Sequence, residues 1–172
     1  AEAEPLDLAV ALLSPYFSDS LTSAQVRRSI AQAIQFPTPL VYLEESLAVV
    51  ELFHGPTSAF KDYGARCMAQ IVSALRAPNE TLTILVATSG DTGGAVAAGF
   101  HQVPGIEVVI LYPSQRISPA QEKQLTTWGG NVTALEVLGS FDDCQRLVKE
   151  AFLDAELQRA RNLTSANSIN IA

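Results

Sequence analysis

The amino-acid sequence predicts an α/β fold in which a parallel β-sheet is flanked by helices and preceded by a helical N-terminal segment. After residue 46, strand-like apolar runs alternate with helix-like patterns, which is typical of chains that form parallel sheets. Residues 82–87 (LTILVA) form a nearly continuous apolar run, as expected of a strand that is buried on both faces. Of the 172 residues, 48% are hydrophobic and 17% are charged, so the chain can bury a core of ordinary size.

Two helices are expected near the N-terminus. Pro5 suits the first position of a helix, and the leucines that follow it have helical spacing. Thr22 with Gln25 three residues later is the pattern of a capping box, so a second helix begins there. This helix must end before Pro37 and Pro39, which force the chain into an extended conformation.

Strands and helices then alternate. Residues 47–53 form a short apolar run that predicts a first strand, and residues 61–76 have the spacing of a helix. The strand over residues 82–87 leads through a glycine-rich loop to a helix of small residues over 95–100. Residues 106–111 are expected to form the next strand.

The remaining elements are indicated by caps and apolar runs. Ser118 and Gln121 have the spacing of another capping box, and Ser140 is the expected cap of a later helix. Further strands are expected over residues 132–137 and 162–169. Because strands alternate with helices, ligands are expected at the C-terminal ends of the strands.

The composition excludes several classes of function. The net charge of −7 and a pI near 4.7 argue against a nucleic-acid partner. The chain has no run of the roughly 20 apolar residues that a membrane span needs. Neither Cys67 nor Cys144 has the spacing of a metal site, and the N-terminus lacks the pattern of a signal peptide. We therefore expect a cytoplasmic protein without metal ligands.

The loop TSGDTGG, residues 88–94, follows a predicted buried strand and opens a helix. Its glycines allow a ligand to approach the backbone, and its hydroxyls and the N–H groups at the helix start favour an anion. It matches neither the Walker motif nor the dinucleotide fingerprint. The carboxylate of Asp91 would repel phosphate, so it suits a helix cap or a proton-bearing group better. A tight turn capped by hydroxyls is the alternative.

The loop HGPTSAFKD, residues 54–62, places Lys61 in the first turn of a helix. The helix dipole disfavours a cation there, which favours the neutral amine that a nucleophile requires. The alternative is a solvated surface lysine paired with Asp62. The rigid Gly-Pro loop at the strand ends favours the nucleophile.

Both loops resemble segments of the threonine synthases, which belong to the tryptophan-synthase-like group of pyridoxal-phosphate enzymes. Five motifs are similar to that family and occur in the family's order, and the resemblance covers about residues 36–172. They are ELFHGPTSAFKD (51–62), TSGDTG (88–93), SPAQE (118–122), GSFDDC (139–144) and NSIN (167–170). The resemblance implies a tryptophan synthase β-like fold, present here in part.

The resemblance also implies roles around the cofactor pyridoxal 5'-phosphate (PLP). Lys61 would form the Schiff base with the cofactor and carry protons between substrate carbons. Phe60 would lie near the cofactor ring. Asp91 matches the position near the 3′-oxygen, where many relatives carry Asn.

The implied substrate is O-phospho-L-homoserine, which a carbon–oxygen lyase of this type converts with water to L-threonine and phosphate. The residues implied to bind its phosphate or carboxylate are Thr88, Ser89, Thr92, Asn167 and Ser168. The expected partner is this small molecule, with no nucleic acid and no membrane, and an oligomer is compatible with these expectations.

Two regions are expected from this reading. Residues 1–46 would form the N-terminal helical segment and an extended linker, and residues 47–172 an α/β PLP-enzyme domain. That domain would be incomplete at its C-terminus, because the family's glycine-rich cradle for the cofactor phosphate would lie beyond Ala172. We therefore do not expect these residues alone to form a working enzyme.

Two alternatives stay open at this stage. A phospho-lyase or dehydratase of the same fold group would share most of the motifs, although the segments HGPT (54–57) and FDDC (141–144) argue against a dehydratase. A non-catalytic α/β module could bind a phosphorylated metabolite through residues 88–94, and would need no function for Lys61.

Overall fold

A computed structural model describes residues 4–166 of the chain. The helices are α1 (Pro5–Phe17), α2 (Ser23–Ala33), α3 (Lys61–Leu75), α4 (Asp91–Phe100), α5 (Pro119–Thr126), α6 (Phe141–Leu153) and α7 (Ala155–Ala160). The strands are β1 (Leu40–Glu44), β2 (Leu47–Val50), β3 (Leu82–Ala87), β4 (Ile106–Pro113), β5 (Val132–Val137) and β6 (Asn162–Ser165). Within this part of the chain, no helix combines the length and apolarity that a membrane span requires.

The predicted parallel sheet with flanking helices is confirmed. Four strands lie in the order β5-β4-β3-β6, and every neighbouring pair is parallel. Ile84 on β3 is fully buried between Val108 on β4 and Thr164 on β6, so the apolar run predicted a strand inside the sheet correctly. Helix α6 packs against β3 and β4, and Phe100 at the end of α4 is fully buried.

The strand order reverses next to β3. From β3 the chain proceeds through β4 to β5 on one side, and then returns to place β6 on the other side of β3. In parallel sheets, ligands bind outside the carboxyl ends of strands at such a reversal. The loop after β3 and the carboxyl end of β6 therefore flank the expected ligand position.

Residues 47–53 do not form a first strand of the parallel sheet, and this expectation was wrong. Residues 47–50 instead form β2, which pairs antiparallel with β1 through a two-residue turn at Glu45 and Ser46. The segment after Pro39 was interpreted as an extended linker, but it supplies the partner strand. Extended backbone with free N–H groups satisfies them by pairing with the nearest strand.

Helices α1, α2 and α3 share a small apolar core formed by Leu21, Val26, Ile30 and Ile71. Arg66 on α3 donates from Nε to the carbonyl of Ala33 at 2.6 Å and from Nη2 to that of Gln32 at 3.1 Å. These carbonyls lie at the end of α2, where backbone acceptors lack partners within the helix. The arginine therefore ties the end of α2 to α3.

The chain divides into two compact units, Ala1–Ala77 and Pro78–Ala172. From the sequence, the boundary between the helical segment and the α/β domain was expected between residues 46 and 47. Helix α3 belongs to the first unit because it packs on α2, whereas the sequence pattern grouped it with the strands that follow. The two regions proposed from the sequence stay a prediction about domains of the whole protein.

Three predicted helix caps are confirmed. The hydroxyl of Thr22 accepts the N–H of Gln25, that of Ser118 accepts the N–H of Gln121, and that of Ser140 accepts the N–H of Asp143. Each cap also has the reciprocal bond from the side chain three residues on, so all three are complete capping boxes.

Candidate active site

The loop before α3 is built around the buried carboxylate of Asp62. Its Oδ2 accepts the backbone N–H of Thr57 at 2.9 Å, and its Oδ1 accepts the Thr57 hydroxyl at 2.7 Å. The Asp62 side chain is fully buried and Thr57 is 7% exposed. Hydrogen bonds to a buried ionised group are among the stronger ones in proteins, so this pair holds the loop in one conformation.

Gly55 is required for this arrangement. A Cβ atom at this position would lie 2.4 Å from Asp62 Oδ2 and 2.8 Å from Asp62 Cβ. The loop then turns tightly, with the N–H of Ser58 donating to the carbonyl of Gly55 at 3.0 Å and Ser58 itself at a φ of 57°. The HGPTSAFKD motif therefore encodes a rigid loop that ends at Lys61.

Lys61 is the first residue of α3 and is partly exposed. Within the described residues, its amine makes no hydrogen bond or ion pair, and it lies 5.5 Å from the centroid of the Phe60 ring. Phe60 is 60% exposed. The expected alternative, a lysine paired with Asp62, is not observed because Asp62 is turned inward towards Thr57.

The loop after β3 is held from inside by Thr88, which is 1% exposed. Its hydroxyl oxygen accepts the N–H of Gly90 at 3.0 Å and that of Gly93 at 2.8 Å, and lies 3.2 Å from the Gly90 carbonyl, to which it can donate. All of these partners belong to the loop or to the first turn of α4. In this structure the Thr88 hydroxyl orders the loop, and its predicted contact with substrate stays a prediction.

Two glycines of this loop lie where a side chain would collide. A Cβ atom at Gly93 would be 2.6 Å from Thr88 Cγ2 and 2.7 Å from Leu125 Cδ2. Gly90 has a φ of +139°, which side-chain-bearing residues rarely adopt, and its Cβ would lie 2.3 Å from Gln121 Nε2. These two glycines are therefore explained by close packing against Thr88 of the loop and against Gln121 and Leu125 of α5.

The polar groups at the mouth of the loop are available to a ligand. Ser89 and Asp91 are exposed, and Thr92 is half-buried. Among the described residues, no acceptor pairs with the hydroxyl of Ser89 or Thr92 or with the backbone N–H groups of Asp91 and Thr92. Two hydroxyls and two N–H groups at the start of a helix form a donor set that suits an anion.

The contact between Asp91 and Gln121 was not predicted from the sequence. Gln121 Nε2 donates to Asp91 Oδ1 at 2.8 Å, which joins the first turn of α5 to that of α4. The sequence identified Gln121 only as a cap residue. The positions of the two residues could have indicated the contact, because the loops after β3 and β4 follow neighbouring parallel strands and therefore lie at the same edge of the sheet.

Asn167 and Ser168 lie outside the described residues. They follow β6 in the sequence, and Ser165 of β6 pairs with Leu85 of β3. The two cysteines are free, and burial raises the pKa of each thiol, which disfavours a thiolate nucleophile. In the described part of the chain, no three His, Cys, Asp or Glu side chains cluster as metal ligands would.

Both loops lie in a part of the chain that matches a known protein family. The profile of the family described as "Pyridoxal-phosphate dependent enzyme" matches residues 31–171, which include both loops. The chain belongs to this family of pyridoxal-phosphate dependent enzymes.

Within this family of pyridoxal-phosphate dependent enzymes, the predicted resemblance to threonine synthases is confirmed. The threonine synthase of Escherichia coli K12 is 48% identical over 161 residues, which cover 94% of this chain and 37% of the relative. The crystal structure of the Escherichia coli threonine synthase superposes with a TM-score of 0.90 at 46% identity, covering 98% of this chain and 39% of that one. The crystal structure of the PLP-bound threonine synthase from Brucella melitensis superposes with a TM-score of 0.88 at 40% identity, covering 96% of this chain and 37% of that one. The chain thus spans somewhat over a third of the length of these relatives.

Proposed function

We propose that the chain provides the cofactor-binding lysine and the substrate-binding loop of a threonine synthase. The reaction would be that of a PLP-dependent lyase, in which O-phospho-L-homoserine and water give L-threonine and phosphate. One observation carries the proposal. The HGPTSAFKD motif folds around buried Asp62 into a rigid loop that presents an amine without a polar partner among the described residues.

The residues of this loop fit the cofactor. Lys61 Nζ is the atom that we assign to the bond with the cofactor's aldehyde carbon, and the exposed ring of Phe60 beside it can contact an aromatic group. When bound, PLP supplies an electron sink that makes the protons on Cα and then Cβ of the substrate removable. After substrate has displaced it, the Lys61 amine can accept and return these protons.

The loop after β3 would hold the anionic groups of the substrate. The hydroxyls of Ser89 and Thr92, together with the N–H groups at the start of α4, can donate to its phosphate or carboxylate. Phosphate leaves from Cγ, the hydroxyl of water adds to Cβ, and protons return to Cα and Cγ. We propose that Thr88 acts by holding this loop, and that Asn167 and Ser168 contribute further donors.

Part of the site would be provided by other residues. The relatives are more than twice as long as this chain, and we propose that the cradle for the cofactor phosphate belongs to that additional polypeptide. Adding PLP to the 172 residues should therefore give no stable visible absorption band and no release of phosphate from O-phospho-L-homoserine. We further propose a cytoplasmic location.

Labelling tests the assignment of Lys61. The sequence contains three lysines, Lys61, Lys123 and Lys149, so peptide mapping can distinguish them. Borohydride reduction of the complete protein loaded with PLP should leave a pyridoxyl group on Lys61. Lys61→Ala should abolish threonine formation without unfolding the protein. Lys123→Ala is the matched control, and it should retain both threonine formation and the fold. A label on Lys123 or Lys149 would overturn the proposal.

A further inference from the structure

We propose that Gln121 is a positioning residue that orients the carboxylate of Asp91 in the candidate active site. The inference rests on the proposed function, because that function places Asp91 beside the cofactor. It concerns a contact between two helix starts, in which Gln121 Nε2 donates to Asp91 Oδ1 at 2.8 Å.

The helix cap determines which way the Gln121 amide faces. Its Oε1 accepts the backbone N–H of Ser118 at 3.0 Å, as the N3 residue of the capping box. An amide that presents its oxygen to Ser118 must present its NH2 group elsewhere. The cap therefore points a donor at Asp91, and the reversed amide would lose both hydrogen bonds.

The same contact selects one oxygen of Asp91. Because Oδ1 is occupied by Gln121, Oδ2 is left to face a proton-bearing group of a ligand. Asp91 is exposed on the first turn of α4, so its side chain would otherwise sample several rotamers. A fixed donor reduces this freedom before a ligand arrives, which is the advantage of a preorganised site.

The amide of Gln121 occupies the space that a side chain at position 90 would need. A Cβ atom there would lie 2.3 Å from Gln121 Nε2 and 2.5 Å from Gln121 Cδ. The backbone before Asp91 is thus packed against the amide that binds Asp91. The loop after β3 and the cap of α5 form one unit around this side chain.

Gln121→Glu should separate the two functions of this residue, which are to cap α5 and to donate to Asp91. Glu is a standard N3 residue of a capping box, so the cap of α5 should remain. Glu cannot donate to Asp91, and it places a second carboxylate against it. In the complete protein loaded with PLP, we expect a shift of the visible cofactor band and a decrease in kcat/KM of about tenfold or more, with an unchanged melting temperature.

A compensating substitution provides the decisive test. In Gln121→Glu combined with Asp91→Asn, the Asn amide can donate to the Glu carboxylate, so the hydrogen bond returns with reversed polarity. The double variant should have a band closer to wild type than Gln121→Glu has. Ser118→Ala is the matched control, because it weakens the cap but keeps the backbone N–H that orients Gln121. It should lower the melting temperature without moving the band.

A cofactor-free measurement completes the test. The NMR signals of the Gln121 side-chain NH2 group should shift in Asp91→Ala, since their acceptor is lost. An unmoved NH2 signal, an unmoved band in Gln121→Glu, or a double variant no better than Gln121→Glu would overturn the inference. Failure of the proposed function is recognised separately, because the complete wild-type protein loaded with PLP would then show no cofactor band and no label on Lys61.

Discussion

Thr57 donates two hydrogen bonds to the carboxylate of Asp62 across the segment that contains Lys61, from its backbone N–H at 2.9 Å and from its hydroxyl at 2.7 Å. The six residues 57–62 thereby close into a ring through a buried carboxylate. Lys61 lies within this ring, immediately before Asp62, so the position of its amine depends on a pair of residues that need not touch substrate or cofactor.

Removing the carboxylate should destabilise the fold. Asp62→Ala leaves the buried N–H and hydroxyl of Thr57 without this acceptor, which should lower the free energy of unfolding by about 1–3 kcal/mol. Asp62→Asn should cost less, because its oxygen can accept the N–H and its NH2 group can donate to the hydroxyl. Urea unfolding of the variants measures both values. Equal stability of Asp62→Ala and wild type would contradict the assignment.

Two glycines provide a matched pair of alanine substitutions. Gly55→Ala would place its Cβ 2.4 Å from Asp62 Oδ2, so the loop must shift, and both stability and attachment of PLP to Lys61 should decrease. Gly64 lies on α3, and among the described residues the added Cβ would meet no side chain and no backbone from outside its own part of the helix within 4 Å. Gly64→Ala should stabilise the helix by about 0.5–1 kcal/mol. Melting temperatures of the two variants should therefore shift in opposite directions from wild type, and borohydride labelling of Lys61 should decrease only in Gly55→Ala.

The two threonines of the second loop should respond differently to valine. Thr88→Val removes the acceptor of two buried N–H groups and should cost about 1–3 kcal/mol of stability. Thr92→Val removes a hydroxyl without a partner in the described residues, so stability should be unchanged. In the complete protein, Thr92→Val should instead lower kcat/KM for O-phospho-L-homoserine by roughly one to two decades. An unchanged kcat/KM would place the phosphate elsewhere.

The cap of α6 should make stability depend on pH. Hydrogen bonds from the backbone N–H and hydroxyl of Ser140, assisted by Arg146, hold the pKa of Asp143 below its ordinary value. Its ionised form is therefore favoured in the folded state, and this stabilisation is present above the pKa of the unfolded chain. It is lost as the pH falls through the lower pKa of the folded state.

Asp143→Asn tests this dependence. The variant should be less stable than wild type at neutral pH, and the difference should vanish in acid, where Asp143 is protonated in both states. Urea titrations across this range measure the difference. Asp142→Asn is the matched control, because Asp142 is the neighbouring acidic residue of α6 but not part of the capping box. A constant difference for Asp143→Asn across the pH range would contradict the cap as its cause.

Features that depend on local spacing were predicted well from the sequence. The helix caps at Thr22, Ser118 and Ser140 need only a hydroxyl at the start of the helix, and the first two were also predicted from the polar side chain three residues later. The buried strand at Leu82–Ala87 needs only an apolar run of the right length. In each case the physical cause acts within a few residues, so the sequence pattern contains it.

Features that depend on pairing at a distance were not predicted. The contact between Gln121 and Asp91 spans 30 residues and exists because β3 and β4 are neighbours. The β1–β2 hairpin was missed because nothing in residues 40–44 indicates which strand they meet. Asp62 was considered only as a partner of Lys61, since its burial depends on how the loop folds over it.

The position of β3 also affects how the protein is made. Its first residue, Leu82, pairs with Ile106 on one edge and with Asn162 on the other. During synthesis, the second edge stays open until about 80 further residues have been translated, which takes roughly 4–16 s at about 5–20 residues per second. An apolar strand with a free edge is able to pair with other nascent chains during this interval. Translation speed and chaperone supply should therefore affect the yield of this protein.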